Sequence, residues 1–474
     1  MKAILFVRLA ILFFYIISCA GKNSRNAAEE TNDVDTTLAN AVSVADSFKT
    51  GQVIAHVICK ADPQQSYGLY IPASGNNEAL PVVYFFDPHG DGSLPLDKYK
   101  ALADKYDFIL IGSNNSKNGN DWSTAESIWN TLFNDSQKRL KINANRIYLC
   151  GFSGGAKVAT YIGLHQNQIK GVIANGAGLP DIINAGNFNF SFTAIAGEGD
   201  LNMTDLVAID NGLDQTQTRH RIIFFDGIHE WAPENTMDIA FTGFQFDAMQ
   251  EKIIPVDNVF VSSYITDSKK RIADFVKQNN FLKAEQESKL TANMLDGITS
   301  DVNWFKEKDA SLKNNPAYQK QWQAKQNLLT TEQNLKNEYE KQFQQGDMNY
   351  WMKTINDIDA RSKAATAEGA MYKRLKAYLS LAFYSISNQL IKGSQDADAQ
   401  NFVNLYKIID PANSEAWYFS AILNARGKNA KATQDDLIKA VGDGFNDKTR
   451  LMQQPEFQQL GNQIDLAEIE SKIK

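Results

Sequence analysis

The stretch Arg146-Ile147-Tyr148-Leu149-Cys150-Gly151-Phe152-Ser153-Gly154-Gly155-Ala156-Lys157-Val158-Ala159 decides the fold. Its opening is a short run of apolar, β-branched and aromatic residues without polar alternation, which suits a strand buried on both faces. Its close, from Ala156 onward, begins a helix. Between the two, Gly151-Phe152-Ser153-Gly154-Gly155 leaves no residues for a loop, so the serine must sit on a sharp and strained turn. The glycines let the backbone turn tightly and let strand and helix approach closely. The helix that leaves the turn aims its first N–H groups at the place where negative charge would develop near the hydroxyl. A five-residue motif of this kind also arises by chance, and its surroundings decide its meaning.

Outward from this stretch, strand-like and helix-like segments alternate from Gln52 to about Ile254. Gln52–Cys59 and Ser66–Pro72 read as a hairpin around Lys60-Ala61-Asp62-Pro63. Pro81–Phe86, Phe108–Gly112, Arg146–Gly151, Gly171–Ala174, Phe192–Ala196 and Arg221–Phe225 are further strands bounded by Gly, Asp or Asn. Leu96–Tyr106 carries an apolar stripe at helical spacing, Ser123–Leu140 a broader one that opens on a Ser123…Glu126 capping box, and Gly154–His165 follows the serine directly. Strands that alternate with helices require crossover connections, hence a mostly parallel, doubly wound sheet.

A serine hydroxyl that is to act as a nucleophile needs a base, and the base needs an orienting acid. The chain has five histidines. His229 follows the last strand-like run across the turn Gly227-Ile228, whereas His56 lies in an early strand and His165 and His220 read as surface positions. Ala194-Ile195-Ala196-Gly197-Glu198-Gly199-Asp200 is a strand that ends in a glycine-rich loop with a carboxylate. Asp200 is the first choice of acid, with Glu198 and Asp205 behind it. Val82–Phe86 leads into Asp87-Pro88-His89-Gly90-Asp91-Gly92, where His89 reads as a structural residue of the loop. After the fourth strand, Ser113–Trp122 is a polar loop at the edge where ligand crevices form, which makes Asn114 and Trp122 candidate substrate contacts.

These residues together resemble the α/β-hydrolase superfamily, in particular carboxylesterases of the polyhydroxybutyrate depolymerase, feruloyl esterase and dienelactone hydrolase type. The resemblance covers about residues 50 to 255. It implies eight strands with the first two antiparallel, Ser153 as nucleophile, His229 as general base and Asp200 as its orienter. It further implies an oxyanion hole from the backbone amides of Asp91 and Gly154, in a loop similar to the His-Gly-x-x loop of esterases. Asp91 departs from the glycine of the richest version, and a carboxylate turned inward would oppose an oxyanion. No metal or organic cofactor is implied, in keeping with the lack of a His/Cys ligand cluster in the sequence. Leu179–Ser191, between the sixth and seventh strands, is too short for an inserted lid. The implied substrate is an ester-bearing small molecule or an ester linked to a polymer. A peptidase on the same fold stays open, as does a weakly active scaffold whose helices bind a protein partner.

The N-terminus speaks of location. Lys2 and Arg8 flank a short apolar run, Leu9–Ile17, and a small residue follows, the pattern of a secretion signal over residues 1–18. Ile16-Ile17-Ser18-Cys19 resembles the lipobox of bacterial lipoproteins, which implies lipidation at Cys19 and a membrane anchor in the cell envelope, on the periplasmic side of the outer membrane. Residues 19–48 are polar and read as a flexible tether, and 49–258 as the hydrolase domain. Beyond it, 259–474 reads as an all-helical domain. In its last hundred residues, Asp410-Pro411-Ala412-Asn413-Ser414-Glu415-Ala416-Trp417-Tyr418 resembles the start of a tetratricopeptide repeat, with Ala440 and Gly444-Phe445 where its second helix would pack. Cys59 and Cys150 lie in apolar strands and read as buried free thiols. Among the 474 residues 43% are hydrophobic and 22% charged, with a net charge of −7, which offers no basic footprint to a nucleic acid.

Overall fold

The computed structural model describes residues 48–74, 78–180, 183–345 and 347–473. The expected signal segment, Cys19 and nearly all of the tether lie outside the described residues. Eight strands form one sheet: β1 (Ile54–Ile58), β2 (Ser66–Tyr70), β3 (Leu80–Phe86), β4 (Ile109–Ser113), β5 (Ile142–Phe152), β6 (Ile169–Asn175), β7 (Ser191–Gly197) and β8 (His220–Phe225). Their order is β1-β2-β4-β3-β5-β6-β7-β8. β2 runs antiparallel to both β1 and β4, while β4, β3, β5, β6 and β7 pair in parallel.

Strand β3 displays the double winding residue by residue. Tyr84 and Phe86 turn to one face and meet Trp129 of α2 (Trp122–Arg139), with ring centroids 5.0 and 6.3 Å apart. Phe85 turns to the other and stacks on Tyr99 of α1 (Ser93–Tyr106) at 6.0 Å. Every residue of β3 is buried. A strand sandwiched in this way has no solvent face, which is why its sequence lacks polar alternation. α3 (Gly154–His165) follows β5 directly, as expected. At α2 the expected capping box is displaced. Asp121 caps the helix, its side chain accepting from the Thr124 amide, because Trp122 already has helical geometry and Ser123 lies inside the first turn.

The chain divides into two compact units. Among the described residues, the first runs from 48 to 196 and holds 204–225 and 230–312 as well, so the boundary expected at 258 falls inside it. The reason is apolar. Phe246 and Met249 of α5 (Glu234–Gln250) share a core with Val261, Ile265 and Ile272 of α6 (Asn258–Lys277), with Leu295 of α7 (Phe281–Leu295) and with Phe305 of α8 (Val302–Lys313). The second unit holds 313–474 together with the two short loops 197–203 and 226–229. Its helices are α9 (Pro316–Phe343), α10 (Met348–Ser362), α11 (Ala367–Lys392), α12 (Asp396–Ile409), α13 (Ser414–Arg426), α14 (Ala430–Gly442) and the short α15 (Lys448–Gln453), α16 (Pro455–Leu460) and α17 (Leu466–Ser471). Among the described residues no helix is long and apolar enough to cross a membrane. Cys59 and Cys150 are free and buried, as expected. A mostly parallel eight-stranded sheet in this strand order, flanked by helices, is the α/β-hydrolase fold, and an all-helical region follows it.

Candidate active site

Ser153 stands between the last residue of β5 and the first of α3 with φ 53° and ψ −123°. An L-residue pays about 1–3 kcal/mol to hold such a backbone and keeps it only where the surroundings enforce it. They do so here through close packing. A Cβ on Gly155 would stand 1.9 Å from the Phe86 carbonyl oxygen, so α3 can lie this near β3 only with glycine at that position. The Ser153 amide donates to the Asn175 carbonyl at 2.9 Å, which ties the turn to the end of β6. As the opening residues of α3, Gly154 and Gly155 carry amides that have no acceptor within the helix.

Asp200 and His229 come from the loops that follow β7 and β8. The Asp200 carboxylate is completely buried, and His229 Nδ1 lies 3.0 Å from each of its oxygens. The Asn202 amide donates to Asp200 Oδ1 at 2.8 Å and fixes the carboxylate from its own loop. The loops also join through backbone, with the Gly199 amide donating to the Gly227 carbonyl at 2.8 Å. A carboxylate on Nδ1 stabilises the tautomer with its proton there, which leaves Nε2 as the acceptor. The His229 side chain is 27% exposed. Of the fallback acids, Asp205 lies in the first turn of α4 (Met203–Leu213).

In the loop after β3, Asp87 is buried and accepts from the Trp231 indole at 2.8 Å and from the His89 amide at 2.8 Å. Burial would raise the Asp87 carboxyl, but hydrogen bonds from His89 and Trp231 outweigh it and hold it below its ordinary value. His89 is largely exposed, and its hydrogen bond to Asp87 holds its own pKa above the ordinary value. Its place is structural, as expected. The Asp91 carboxylate turns onto the start of α1, where Oδ1 accepts from the amides of Ser93 and Leu94, each at 3.1 Å. An acid at a helix N-terminus is well placed, and this one is engaged there.

Two expectations need correction. Asn114 was expected as a substrate contact, but its amide is fully engaged within the fold. Its Oδ1 accepts from the Gly92 amide at 3.0 Å, while Nδ2 donates to the Ala55 carbonyl and to Ser66 Oγ, both at 3.0 Å. The loop is thereby sewn to the first hairpin. His220, expected at the surface, is nearly buried beside Asp210 and Asp214, and burial lowers its pKa. Trp122 stacks on Tyr161 of α3, with centroids 4.7 Å apart, so one face of its ring is taken by the fold.

The sequence gives little sign of two residues that the structure puts at the site. Asn118 brings its side-chain oxygen against Gly154, so close that a Cβ there would stand 1.9 Å from it. Asn175 is completely buried. Besides holding the Ser153 amide through its carbonyl, it accepts from the Ala232 amide at 2.8 Å and donates to the Glu230 carbonyl at 3.3 Å. One asparagine thus fixes both the serine turn and the segment that follows His229. Both residues meet segments distant in sequence, and nothing in local composition marks such a role. Among the described residues no cluster of His, Cys, Asp and Glu could hold a metal ion.

No protein-family model and no curated protein matches the chain. Among solved structures, an esterase from Pyrobaculum calidifontis is 13% identical over 42% of this chain and 85% of its own, with a TM-score of 0.34. The S-formylglutathione hydrolase of Staphylococcus aureus is 10% identical over 42% of this chain and 99% of its own, with a TM-score of 0.33. A feruloyl esterase module from Clostridium thermocellum is 10% identical over 40% of this chain and 84% of its own, with a TM-score of 0.32.

Proposed function

We propose that the protein is a serine hydrolase that cleaves carboxylic esters, with Ser153 as nucleophile, His229 as general base and Asp200 as its orienter. The observation that carries this reading is the backbone of Ser153, held at φ 53° on the turn from strand to helix, a conformation that costs energy in a residue other than glycine. The buried Asp200 carboxylate on His229 Nδ1 supports it by supplying a base in the required tautomer. In the proposed reaction Ser153 Oγ attacks the acyl carbon as His229 Nε2 takes its proton. The oxyanion rests on the amides of Gly154 and Asp91, the alcohol leaves with the proton from His229, and water releases the acyl group by the same steps. The substrate is a small or polymer-linked ester, and Cys19 tethers the enzyme to the bacterial envelope.

A fluorophosphonate probe tests this directly. It is expected to label the protein covalently, with labelling abolished in Ser153→Ala. An unlabelled wild-type protein, under conditions that label a control esterase, overturns the reading. Labelling that persists in Ser153→Ala overturns the choice of nucleophile.

A further inference from the structure

We propose that Arg374, far along the chain in α11, is a positioning residue that holds the loop carrying Asp200. The proposal rests on the assignment of Asp200 and His229 made above. Loops 197–203 and 226–229 belong to the same compact unit as residues 313–474, so both residues of the His229–Asp200 pair share a packing unit with α11. Arg374 is buried, and its Nη1 donates to the backbone carbonyl of Glu198, two residues before Asp200. Its other nitrogens, Nε at 2.9 Å and Nη2 at 2.6 Å, donate to Glu332 Oε2 on α9. Glu332 is itself buried and holds Lys336 through its second oxygen at 2.8 Å. The planar guanidinium is therefore fixed by an ion pair on one side and presents a rigid donor to the loop on the other.

An independent contact lies beside it. A Cβ on Gly199 would stand 3.1 Å from both Cβ and Cδ of Lys373 and 3.0 Å from the Gly227 carbonyl oxygen. The stem of Lys373 therefore presses on the loop at the residue next to Asp200, while Arg374 grips it one residue earlier. Beyond Gly197, the last residue of β7, Glu198 and Gly199 form a two-residue turn that the Asp200 amide closes on the Gly197 carbonyl at 3.0 Å, with glycines on both sides of Glu198. The α11 contacts add to that turn and to the backbone bond to Gly227. Carboxylates that orient a base must be held within a fraction of an ångström, and here α11 does the holding.

The experiment compares the wild-type full chain with two variants. Removing Arg374 alone would strand Glu332, so the first variant is the double substitution Arg374→Met with Glu332→Gln, which neutralises both partners. The second is Arg374→Lys, which retains a donor. Hydrogen–deuterium exchange of segment 197–203 is read against segment 146–159, together with kcat and KM for p-nitrophenyl acetate. In the double variant the loop is expected to exchange at least about tenfold faster while 146–159 is unchanged. There kcat should fall at least about tenfold with KM within about threefold, and Arg374→Lys should recover part of both. Unchanged exchange of 197–203 in the double variant overturns the proposal, whatever kcat does. Faster exchange with undiminished kcat overturns the positioning role. Faster exchange in a protein that neither turns over the ester nor reacts with a fluorophosphonate supports the grip on the loop and overturns the hydrolase reading alone.

Discussion

Asp91 stands where the richest form of the loop after β3 has glycine, and the direction of its carboxylate decides its effect on the proposed oxyanion. Turned inward it would repel the developing charge. The carboxylate instead accepts from the Ser93 and Leu94 amides at the head of α1. Asp91→Asn should therefore keep kcat within about threefold of wild type, since the cap survives and no opposing charge is relieved. Asp91→Ala should lower unfolding free energy by about 1 kcal/mol, since the Ser93 and Leu94 amides lose their acceptor. Ester turnover and urea unfolding measure the two effects. A rise of about tenfold or more in kcat for Asp91→Asn would mean that the carboxylate opposes the reaction after all. At this scale the sequence is legible where a backbone constraint leaves a residue signature. Gly155 and Ser153 are readable because a close approach and a tight turn admit few residue types. Asp200 and His229 are readable because each follows a strand. Asn175, Asn118 and Arg374 leave no such mark, because the segments they meet are distant in sequence.

Helix α4, strand β8 and helix α7 meet through four ionisable side chains. Asp210 of α4 lies 3.7 Å from His220 of β8 and 3.9 Å from Lys289 of α7, and Asp214 is 3.3 Å from His220. Burial, assisted by the nearby Asp214 and only partly opposed by Lys289, pushes the Asp210 carboxyl up to about 6. The folded protein thus retains a proton that the unfolded chain has already released. The contribution to stability is complete below the ordinary carboxylate range, declines as pH rises toward 6 and stays lost above it. Asp210→Asn removes the cost of burying that charge. It should stabilise the protein by about 2 kcal/mol at pH 8, with the advantage fading toward pH 4, as urea midpoints at the two pH values will record. A variant that is less stable than wild type at pH 8 would rule this account out. The elements themselves were largely legible. The central strands, buried on both faces, write continuous apolar runs, and all eight strands are present where the sequence predicts them. The limit of the first unit was not legible. α6, α7 and α8 have the same polar, amphipathic texture as the helices beyond them, and only the partner of each apolar stripe distinguishes the groups.

At the scale of the whole molecule, each unit has an apolar core of its own among the described residues. The cores around β3 and α1 and around α5 to α8 draw only on residues before 313, and the core of α9 to α17 only on residues after it. The loops that carry Asp200 and His229 break this division, since they issue from the sheet yet belong to the second unit. A chain that ends after Leu312 should therefore keep a cooperative fold, because the apolar partners of β3, α1 and α5 to α8 remain within it. It should nevertheless lose ester turnover on the order of 100-fold, because the Glu198 carbonyl loses Arg374 and Gly199 loses the stem of Lys373. Far-UV circular dichroism with urea unfolding tests the first half, and p-nitrophenyl acetate hydrolysis the second. A truncated chain that turns over at the wild-type rate would make the helical region an appendage to a self-sufficient hydrolase. A folded but inactive one would make it the support of the Asp200 and His229 loops, supplied by residues that follow the sheet by more than a hundred positions.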